Sequence, residues 1–327
     1  MPPALGLHKE FQSRPTLSED RPSSLFIVGA PRTGTTSLAK ALADHPQICF
    51  SKPKETHFFL KPSAEGSAED VRCRFESAYF RNLGPQHRII AEGSVSYLYD
   101  MRAIRRILAF DPNALFVAGL RSPLDLLQSY HARLLYTMDE DVPHFAQAWA
   151  LQDRRRRGEA IPRRCREPRL LLYGEVGMLG RQVRQLIEVA GRERCFFILF
   201  DDLRADAIGV YRTLLDFAGL PDDGRTEIRH KNENRAYRRA WLQPLVMNPP
   251  ATIARLAGLF SDTGNTRLRA LVRPLRRRLK KANTERVARS ALSPELRREL
   301  SDFFREDVGE LGRLLRRDLS GWLEPRT

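Results

Sequence analysis

Short apolar runs alternate with longer amphipathic segments along most of the chain. The clearest runs cover residues 24–29, 114–120 and 195–200, and each has the length of one strand with apolar residues at almost every position. Such runs are typical of strands that are buried on both faces of a parallel sheet. The segments between them carry apolar residues at helical spacing, which favours an α/β fold with helices on both faces of the sheet.

Weaker hydrophobic patterns predict further strands and the helices of this α/β fold. Short strands are predicted at residues 48–50 and 88–92. Helices are predicted at residues 36–43, 101–110, 124–136, 177–190, 208–218 and 294–317. Residues 1–22 are rich in proline, serine and charge, so we expect a mobile N-terminal segment there. One domain is expected over residues 23–327, and its C-terminal part, residues 237–327, is predicted to be helical and basic.

The amino-acid composition is that of a globular protein and gives no sign of a membrane-spanning or disulfide-rich one. Hydrophobic residues make up 42% of the chain and charged residues 29%, the balance of an ordinary globular protein. No apolar run approaches the length of a membrane helix, and residues 1–22 lack the apolar core of a signal peptide, so a cytoplasmic location is expected. The four cysteines have no paired spacing and predict neither a zinc site nor a disulfide framework.

The chain is strongly basic. Its formal net charge is +15, and only eight of its 55 basic residues are lysine. The summed field of such a chain attracts anionic ligands. The arginine excess also fits a solvated, arginine-rich surface, so charge alone does not indicate nucleic-acid binding.

A phosphate-binding loop is indicated at residues 29–36, which read Gly-Ala-Pro-Arg-Thr-Gly-Thr-Thr between a predicted strand and a predicted helix. Backbone N–H groups and the helix dipole at such a junction bind phosphate. The spacing is that of the triphosphate-binding loop G-x-x-x-x-G-K-[ST], but Thr35 stands at the lysine position and the cation is Arg32. The loop therefore predicts a single bound phosphate and disfavours ATP hydrolysis, and no metal is expected.

Residues 31–38 resemble the 5′-phosphosulfate loop of sulfotransferases that use 3′-phosphoadenosine 5′-phosphosulfate (PAPS), in which lysine commonly stands where Arg32 stands here. The resemblance implies that Arg32 balances charge while the sulfo group leaves, although a guanidinium cannot donate a proton as lysine can. The donor-binding residues implied by the loop are Arg32, Thr33, Gly34, Thr35, Thr36 and Ser37.

A second resemblance concerns Arg121, which closes the predicted strand 114–120, and Ser129, eight residues later in a predicted helix. The family's 3′-phosphate motif has an arginine at a strand end and a serine two helical turns later. A guanidinium with a hydroxyl donor suits a dianionic phosphate, so this pair favours a 3′-phosphorylated nucleotide over ATP. Lys231 and Arg235 stand where the family has a basic loop over the nucleotide, which makes them further candidates for the 3′-phosphate.

Residues 51–59 resemble the segment of glycan-type members in which a carboxylate precedes His-Phe-Phe. The resemblance implies that Glu55 removes the proton of the acceptor. His57 is the rival base, because an ordinary imidazole titrates near neutral pH. Residues 91–97 resemble a third stretch, E-K-[ST]-x-x-Y, but Gly93 stands at the lysine position. The full acceptor chemistry of the glycan members is therefore not carried over.

These features predict an enzyme that moves the sulfo group of PAPS to a hydroxyl or amine of a small-molecule, lipid or glycan acceptor by in-line displacement. A P-loop kinase or NTPase is one alternative. The other is a non-enzymatic binder of nucleic acid or acidic membrane that uses the basic residues 255–281. No nucleic-acid partner is expected, whereas the basic C-terminal region is compatible with peripheral membrane contact.

Overall fold

The computed structural model describes residues 21–228, 235–237, 279, 282–286 and 291–324. The chain divides into two compact units. The first comprises Met1–Leu126, Glu175–Asn232 and Pro294–Thr327, and the second comprises Leu127–Gly174 and Glu233–Ser293. The predicted mobile segment lies outside the described residues except for Arg21 and Pro22, and so does most of the predicted helical stretch between residues 237 and 290.

Strands and helices alternate through the first unit. Its strands are β1 (Ser23–Gly29), β2 (Ile48–Phe50), β3 (Ile89–Glu92), β4 (Leu115–Leu120) and β5 (Cys195–Leu199). Its helices are α1 (Thr35–Ala43), α2 (Ala68–Tyr79), α3 (Met101–Phe110), α8 (Leu179–Ala190), α9 (Phe200–Ala205), α10 (Ala207–Phe217) and α11 (Pro294–Leu315). Helices α4 (Pro123–Thr137) and α7 (Tyr173–Gly177) run across the boundaries between the units.

The five strands form one parallel sheet in the order β2-β3-β1-β4-β5. Because all strands run the same way, the loops after β1, β2, β3 and β4 leave the sheet at the same edge. Strand β1 lies in the middle, so the loop that follows it has the loops after β3 and β4 as neighbours. Ligands of open α/β sheets bind at this carboxyl edge.

The alternation of side chains along β1 explains how both faces of the sheet are covered. Leu25 and Ile27 point to one face and pack in a core cluster with residues of α1 and α10. Phe26 points to the other face and contacts a set of aromatic rings. Those rings belong to Phe59, Phe75 and Phe116. The predicted α/β fold, with helices on both faces of a parallel sheet, is thus confirmed.

Two local predictions need correction. The predicted strand 195–200 ends one residue early, because Phe200 opens α9, whose first turn carries Asp201 and Asp202 and so complements the helix dipole. Helix α2 was not predicted. Its cap is the Ser67 hydroxyl, which accepts the Asp70 N–H at 3.2 Å, and this serine-acid pattern is the signal that identifies the helix start.

The second unit contains helices α5 (Phe145–Ala150) and α6 (Gln152–Arg156) and the antiparallel pair β6 (Arg235–Tyr237) and β7 (Thr284–Arg286). This unit also contains a buried ion pair between Arg155 and Glu140, 2.8 Å apart. Burial would raise the pKa of Glu140, but hydrogen bonds from Arg155 and the Tyr173 hydroxyl outweigh it and hold that pKa below its ordinary value. No described helix is both long and apolar enough to cross a membrane.

Candidate functional site

The loop between β1 and α1 turns sharply at two residues. Arg32 has φ 65° and Gly34 has φ 82°, so both adopt the left-handed conformation. The Thr33 hydroxyl donates to the Ala30 carbonyl at 2.8 Å and fixes the curl of the loop from inside. Left-handed residues in such a loop, followed by a helix N-terminus, turn backbone N–H groups toward a common point that suits an anion.

Two glycines allow this loop to pack closely, Gly119 where the loop lies against β4 and Gly34 where it lies against α9. A Cβ atom added to Gly119 on β4 would lie 2.5 Å from the Thr33 Oγ1 atom. A Cβ atom added to Gly34 would lie 2.8 Å from a methyl of Leu203 and would also be strained by the positive φ. The Ala30 N–H donates to the Gly119 carbonyl at 2.5 Å and ties the loop to β4.

The side chains of the loop differ in their access to solvent. Thr33 and Thr35 are buried, at 1% and 5% exposure, and Ser37 is buried at 8%. Thr36 is exposed and Arg32 is half-buried. Thr35, at the position of the triphosphate-binding lysine, therefore faces the interior, and the loop's cation is the half-buried Arg32.

Arg121 follows β4 directly and touches the predicted phosphate-binding loop of residues 29–36, called the phosphate loop below. Its Nη1 donates to the Arg32 carbonyl at 3.4 Å, and its Nη2 lies 3.2 Å from the Asp125 carboxylate. The guanidinium also stacks over the Phe200 ring, with 4.2 Å between its carbon and the ring centroid. Two segments that lie 89 residues apart in the sequence thus meet at the carboxyl edge of the sheet.

Of the other residues predicted for the 3′-phosphate, only Ser129 has a described side chain. Ser129 is buried in α4, in the part of that helix that belongs to the second unit. Lys231 lies outside the described residues. Arg235 is the first residue of β6, and only its backbone is described.

The two candidate bases lie side by side in the loop after β2. Oε1 of Glu55 is 3.2 Å from the Lys54 ammonium, and Oε2 is 3.9 Å from Nε2 of His57. His57 adopts a left-handed φ of 50°, and its Nδ1 lies 2.8 Å from the Ser96 hydroxyl. The Glu55 side chain is 41% exposed, so its carboxylate is open to a molecule that approaches from solvent.

Glu92, the last residue of β3, holds this loop in place, and sequence reasoning missed it. Its carboxylate accepts the Thr56 N–H at 2.8 Å, the Ser94 N–H at 2.9 Å and the Ser94 hydroxyl. Burial raises the pKa of Glu92, while these hydrogen bonds oppose the rise. A carboxylate that ends a buried strand is the sequence signal that identifies it, because a fully buried acid needs partners from the loops around it.

Gly93 stands at the lysine position of the stretch E-K-[ST]-x-x-Y, and in the structure it packs closely against Lys54. A Cβ atom added to Gly93 would lie 2.9 Å from Cε of Lys54 and 3.2 Å from Nζ. The Lys54 ammonium donates to the Gly93 carbonyl at 2.9 Å. The side chain of Lys54 therefore occupies the space that a side chain at position 93 would need.

A cleft of about 350 Å³ lies along α1, beyond the phosphate loop. Its lining comes from α1, from Asp44 just after that helix and from the segment after α10. The lining residues are Ser37, Lys40, Ala41, Asp44, Arg225, Glu227 and Ile228. Sequence reasoning identified Ser37 but not the cleft, because residues 225–228 come near α1 only through the fold. Among the described residues, no group of three or more His, Cys, Asp or Glu side chains is arranged to hold a metal ion.

Comparisons with known proteins agree with this geometry. A model of the sulfotransferase family matches residues 22–78, which include the phosphate loop and the segment of Glu55 and His57. The crystal structure of a sulfotransferase from Alicyclobacillus acidocaldarius is 26% identical, and the alignment covers 93% of this chain and 99% of that one with a TM-score of 0.63. No curated protein matches the sequence significantly.

A second solved structure is more distant. Mouse sulfotransferase SULT7A1 complexed with PAP is 14% identical over 95% of this chain and 94% of that one, with a TM-score of 0.41. A likeness at this level does not bear on function.

Proposed function

We propose that this chain, which matches a sulfotransferase-family model over residues 22–78 and resembles a solved sulfotransferase over 93% of its length, transfers a sulfo group from PAPS to a hydroxyl or amine of an acceptor. The observation that carries the proposal is the loop between β1 and α1. It has the backbone of a phosphate-binding loop, a buried threonine at the lysine position and a half-buried arginine inside the curl.

The residues present fit such a donor. PAPS carries a 5′-phosphosulfate, a 3′-phosphate and a nucleoside, and each needs its own recognition. The loop N–H groups and Arg32 suit the 5′-phosphosulfate, and Arg121, in contact with the loop, suits the 3′-phosphate. The cleft beside α1 is lined partly by Ser37 of the loop motif and can receive the nucleoside. The hydroxyl of Ser129 and the cations Lys231 and Arg235 stay proposed contacts of the 3′-phosphate.

The proposed reaction is a single displacement at sulfur. A bond forms between the acceptor oxygen or nitrogen and sulfur, while the bond between sulfur and the oxygen of the 5′-phosphate breaks. The acceptor proton passes to the Glu55 carboxylate, and 3′-phosphoadenosine 5′-phosphate (PAP) leaves with the bonding electrons. Arg32 and the loop amides stabilise the charge that develops on the leaving phosphate, so the proposed step needs no metal.

Glu55 is our proposed base, and His57 is its alternative. Both lie in the loop after β2, with the Glu55 carboxylate between the Lys54 ammonium and the His57 imidazole. The exposure of Glu55 is compatible with small-molecule, lipid and glycan acceptors alike. The cytoplasm remains the expected location of the reaction.

Mass spectrometry tests the proposal directly. Purified protein is incubated with PAPS and a panel of phenols, amines, glycans and hydroxylated lipids. We expect one acceptor class to gain the mass of one SO₃ group with equal release of PAP, and we expect Arg32→Ala to abolish both signals. Magnesium-dependent turnover of ATP, with no sulfo transfer to any acceptor, would instead establish the P-loop kinase or NTPase alternative.

A further inference from the structure

The loops that follow β2 and β3 are joined through Lys54 and Gly93. The Gly93 N–H donates to the Lys54 carbonyl at 3.0 Å, and the Lys54 ammonium donates back to the Gly93 carbonyl at 2.9 Å. The Ser51 hydroxyl also donates to the Lys54 carbonyl at 3.2 Å. Lys54 is thus held at its backbone and at the end of its side chain, which is only 22% exposed. These hydrogen bonds restrict the position of the Lys54 ammonium, although lysine side chains are long and flexible.

Gly93 provides the room for this side chain. The residue is buried, and its φ lies outside the left-handed region that would by itself favour glycine. An added Cβ atom would lie 2.9 Å from Cε of Lys54 and 3.2 Å from both Cγ and Nζ. Lack of space therefore disfavours a side chain at position 93. A side chain at position 93 would displace the flexible end of Lys54, so the ammonium keeps its present position because residue 93 is glycine.

The ammonium that is fixed in this way lies beside the proposed base. It is 3.2 Å from Oε1 of Glu55, whose other oxygen is 3.9 Å from His57. A half-exposed ion pair contributes little to fold stability, since solvent screens it. A fixed cation does restrict the orientation of a flexible carboxylate, and a base must lie within hydrogen-bond reach of the proton that it removes.

We propose that Lys54 is a positioning residue for Glu55. Its ammonium, held above Gly93, orients the Glu55 carboxylate for removal of the acceptor proton, and Gly93 leaves the space that the Lys54 side chain occupies. The inference rests on the proposed function, in which Glu55 is the base. It further implies that a cation reaching the same point from position 93 can replace Lys54.

Unfolding measurements test the arrangement without any activity. Gly93→Ala is compared with wild type, and the same change is compared in a Lys54→Ala background. We expect Gly93→Ala to lower the melting temperature by a few degrees when Lys54 is present and to have almost no effect when it is absent. Equal effects in both backgrounds would overturn the displacement of Lys54 by a side chain at position 93.

Steady-state kinetics with PAPS and the acceptor class identified by mass spectrometry test the role. Lys54→Met keeps an unbranched side chain that is one atom shorter and removes the charge. It should lower kcat about 10- to 100-fold, as expected for a misoriented base, and should change the KM values for PAPS and acceptor less than about twofold. In a Glu55→Gln background the same change should cost nothing further, because the carboxylate that it orients is gone. Lys52→Ala, an exposed lysine two residues away, is the matched control and should retain wild-type kcat.

The exchange variant Lys54→Ala/Gly93→Lys tests the ammonium position itself. It should recover at least a tenth of the wild-type kcat, which Lys54→Ala alone should lack. Two results would overturn the inference. One is a wild-type kcat in Lys54→Met. The other is an equal loss of kcat from Lys54→Met whether position 55 carries Glu or Gln. If wild-type protein transfers no sulfo group at all, the proposed function fails. The unfolding comparison then decides separately whether a side chain at position 93 displaces Lys54.

Discussion

The Arg121 guanidinium donates to the carbonyl of Arg32 at 3.4 Å. This contact joins the loop after β4 to the phosphate loop after β1, so a cation outside the loop and a cation inside it lie at one edge of the sheet. Since β1 and β4 are neighbouring parallel strands, the sheet order itself brings the two arginines together. This contact supports the proposal that the two arginines bind separate phosphates of one nucleotide.

Arg121→Ala should weaken binding of PAP more than binding of AMP. A guanidinium paired with a phosphate contributes roughly 1.5–3 kcal/mol, so the affinity for PAP should fall about 10- to 100-fold. AMP lacks the 3′-phosphate, and its weaker affinity should change less than about threefold. Isothermal titration calorimetry measures both, with the exposed Arg105→Ala as the control for loss of positive charge. Equal losses for PAP and AMP would show that Arg121 supports the loop rather than the 3′-phosphate.

Gly119→Ala should disrupt the phosphate loop from the side of β4, against which the loop packs. Its new methyl would lie 2.5 Å from Oγ1 of Thr33 and 2.9 Å from Cγ2 of Thr35, so the loop must shift away from β4. Overpacking of this kind costs about 1–3 kcal/mol of the free energy of unfolding, and PAP affinity should fall as well. Gly321→Ala is the matched control, because nothing lies within 4 Å of a Cβ atom there. Full PAP affinity in Gly119→Ala would mean that the loop tolerates the shift.

The strands and the strand–loop–helix turn at residues 29–36 could be predicted because their signals are local. The apolar run at β1 and the Gly29-to-Gly34 spacing are contiguous in the sequence. The support given by Glu92 to the loop of Glu55 could not be predicted, because its partners Thr56 and Ser94 meet it only after β2 and β3 pair. The close contact of Gly93 with Lys54 could not be predicted for the same reason, because the side chain that fills the space beside Gly93 comes from residue 54.

The pH dependence of stability should report on Glu92. Burial raises the pKa of its carboxyl in the folded state above the ordinary value of 4.5. Such a group stabilises the fold below the pKa of the unfolded chain, and this contribution is lost as the pH rises through the higher folded-state pKa. The stability of wild type relative to Glu92→Gln should therefore fall as the pH rises above 4.5.

Glu92→Gln should also be less stable than wild type by about 1–3 kcal/mol. Its amide has one acceptor oxygen for three donors, so at least one N–H of Thr56 or Ser94 loses its partner. Thermal unfolding at a series of pH values measures both effects, with the exposed Glu306→Gln as the control. If wild type and Glu92→Gln changed in parallel with pH, the Glu92 carboxyl would not be the titrating group.

Glu55→Gln and His57→Gln distinguish the two candidate bases. Loss of a general base typically costs about 10²- to 10⁴-fold in rate, so Glu55→Gln should reduce single-turnover conversion of PAPS to PAP by that factor. His57→Gln should cost less than about tenfold, because its imidazole is anchored to Ser96 and lies 3.9 Å from the carboxylate of Glu55, the proposed base. Both variants should bind PAP with wild-type affinity, since neither side chain belongs to the phosphate loop. A loss confined to His57→Gln would assign the proton transfer to the imidazole, and Glu55 would then be the group that orients it.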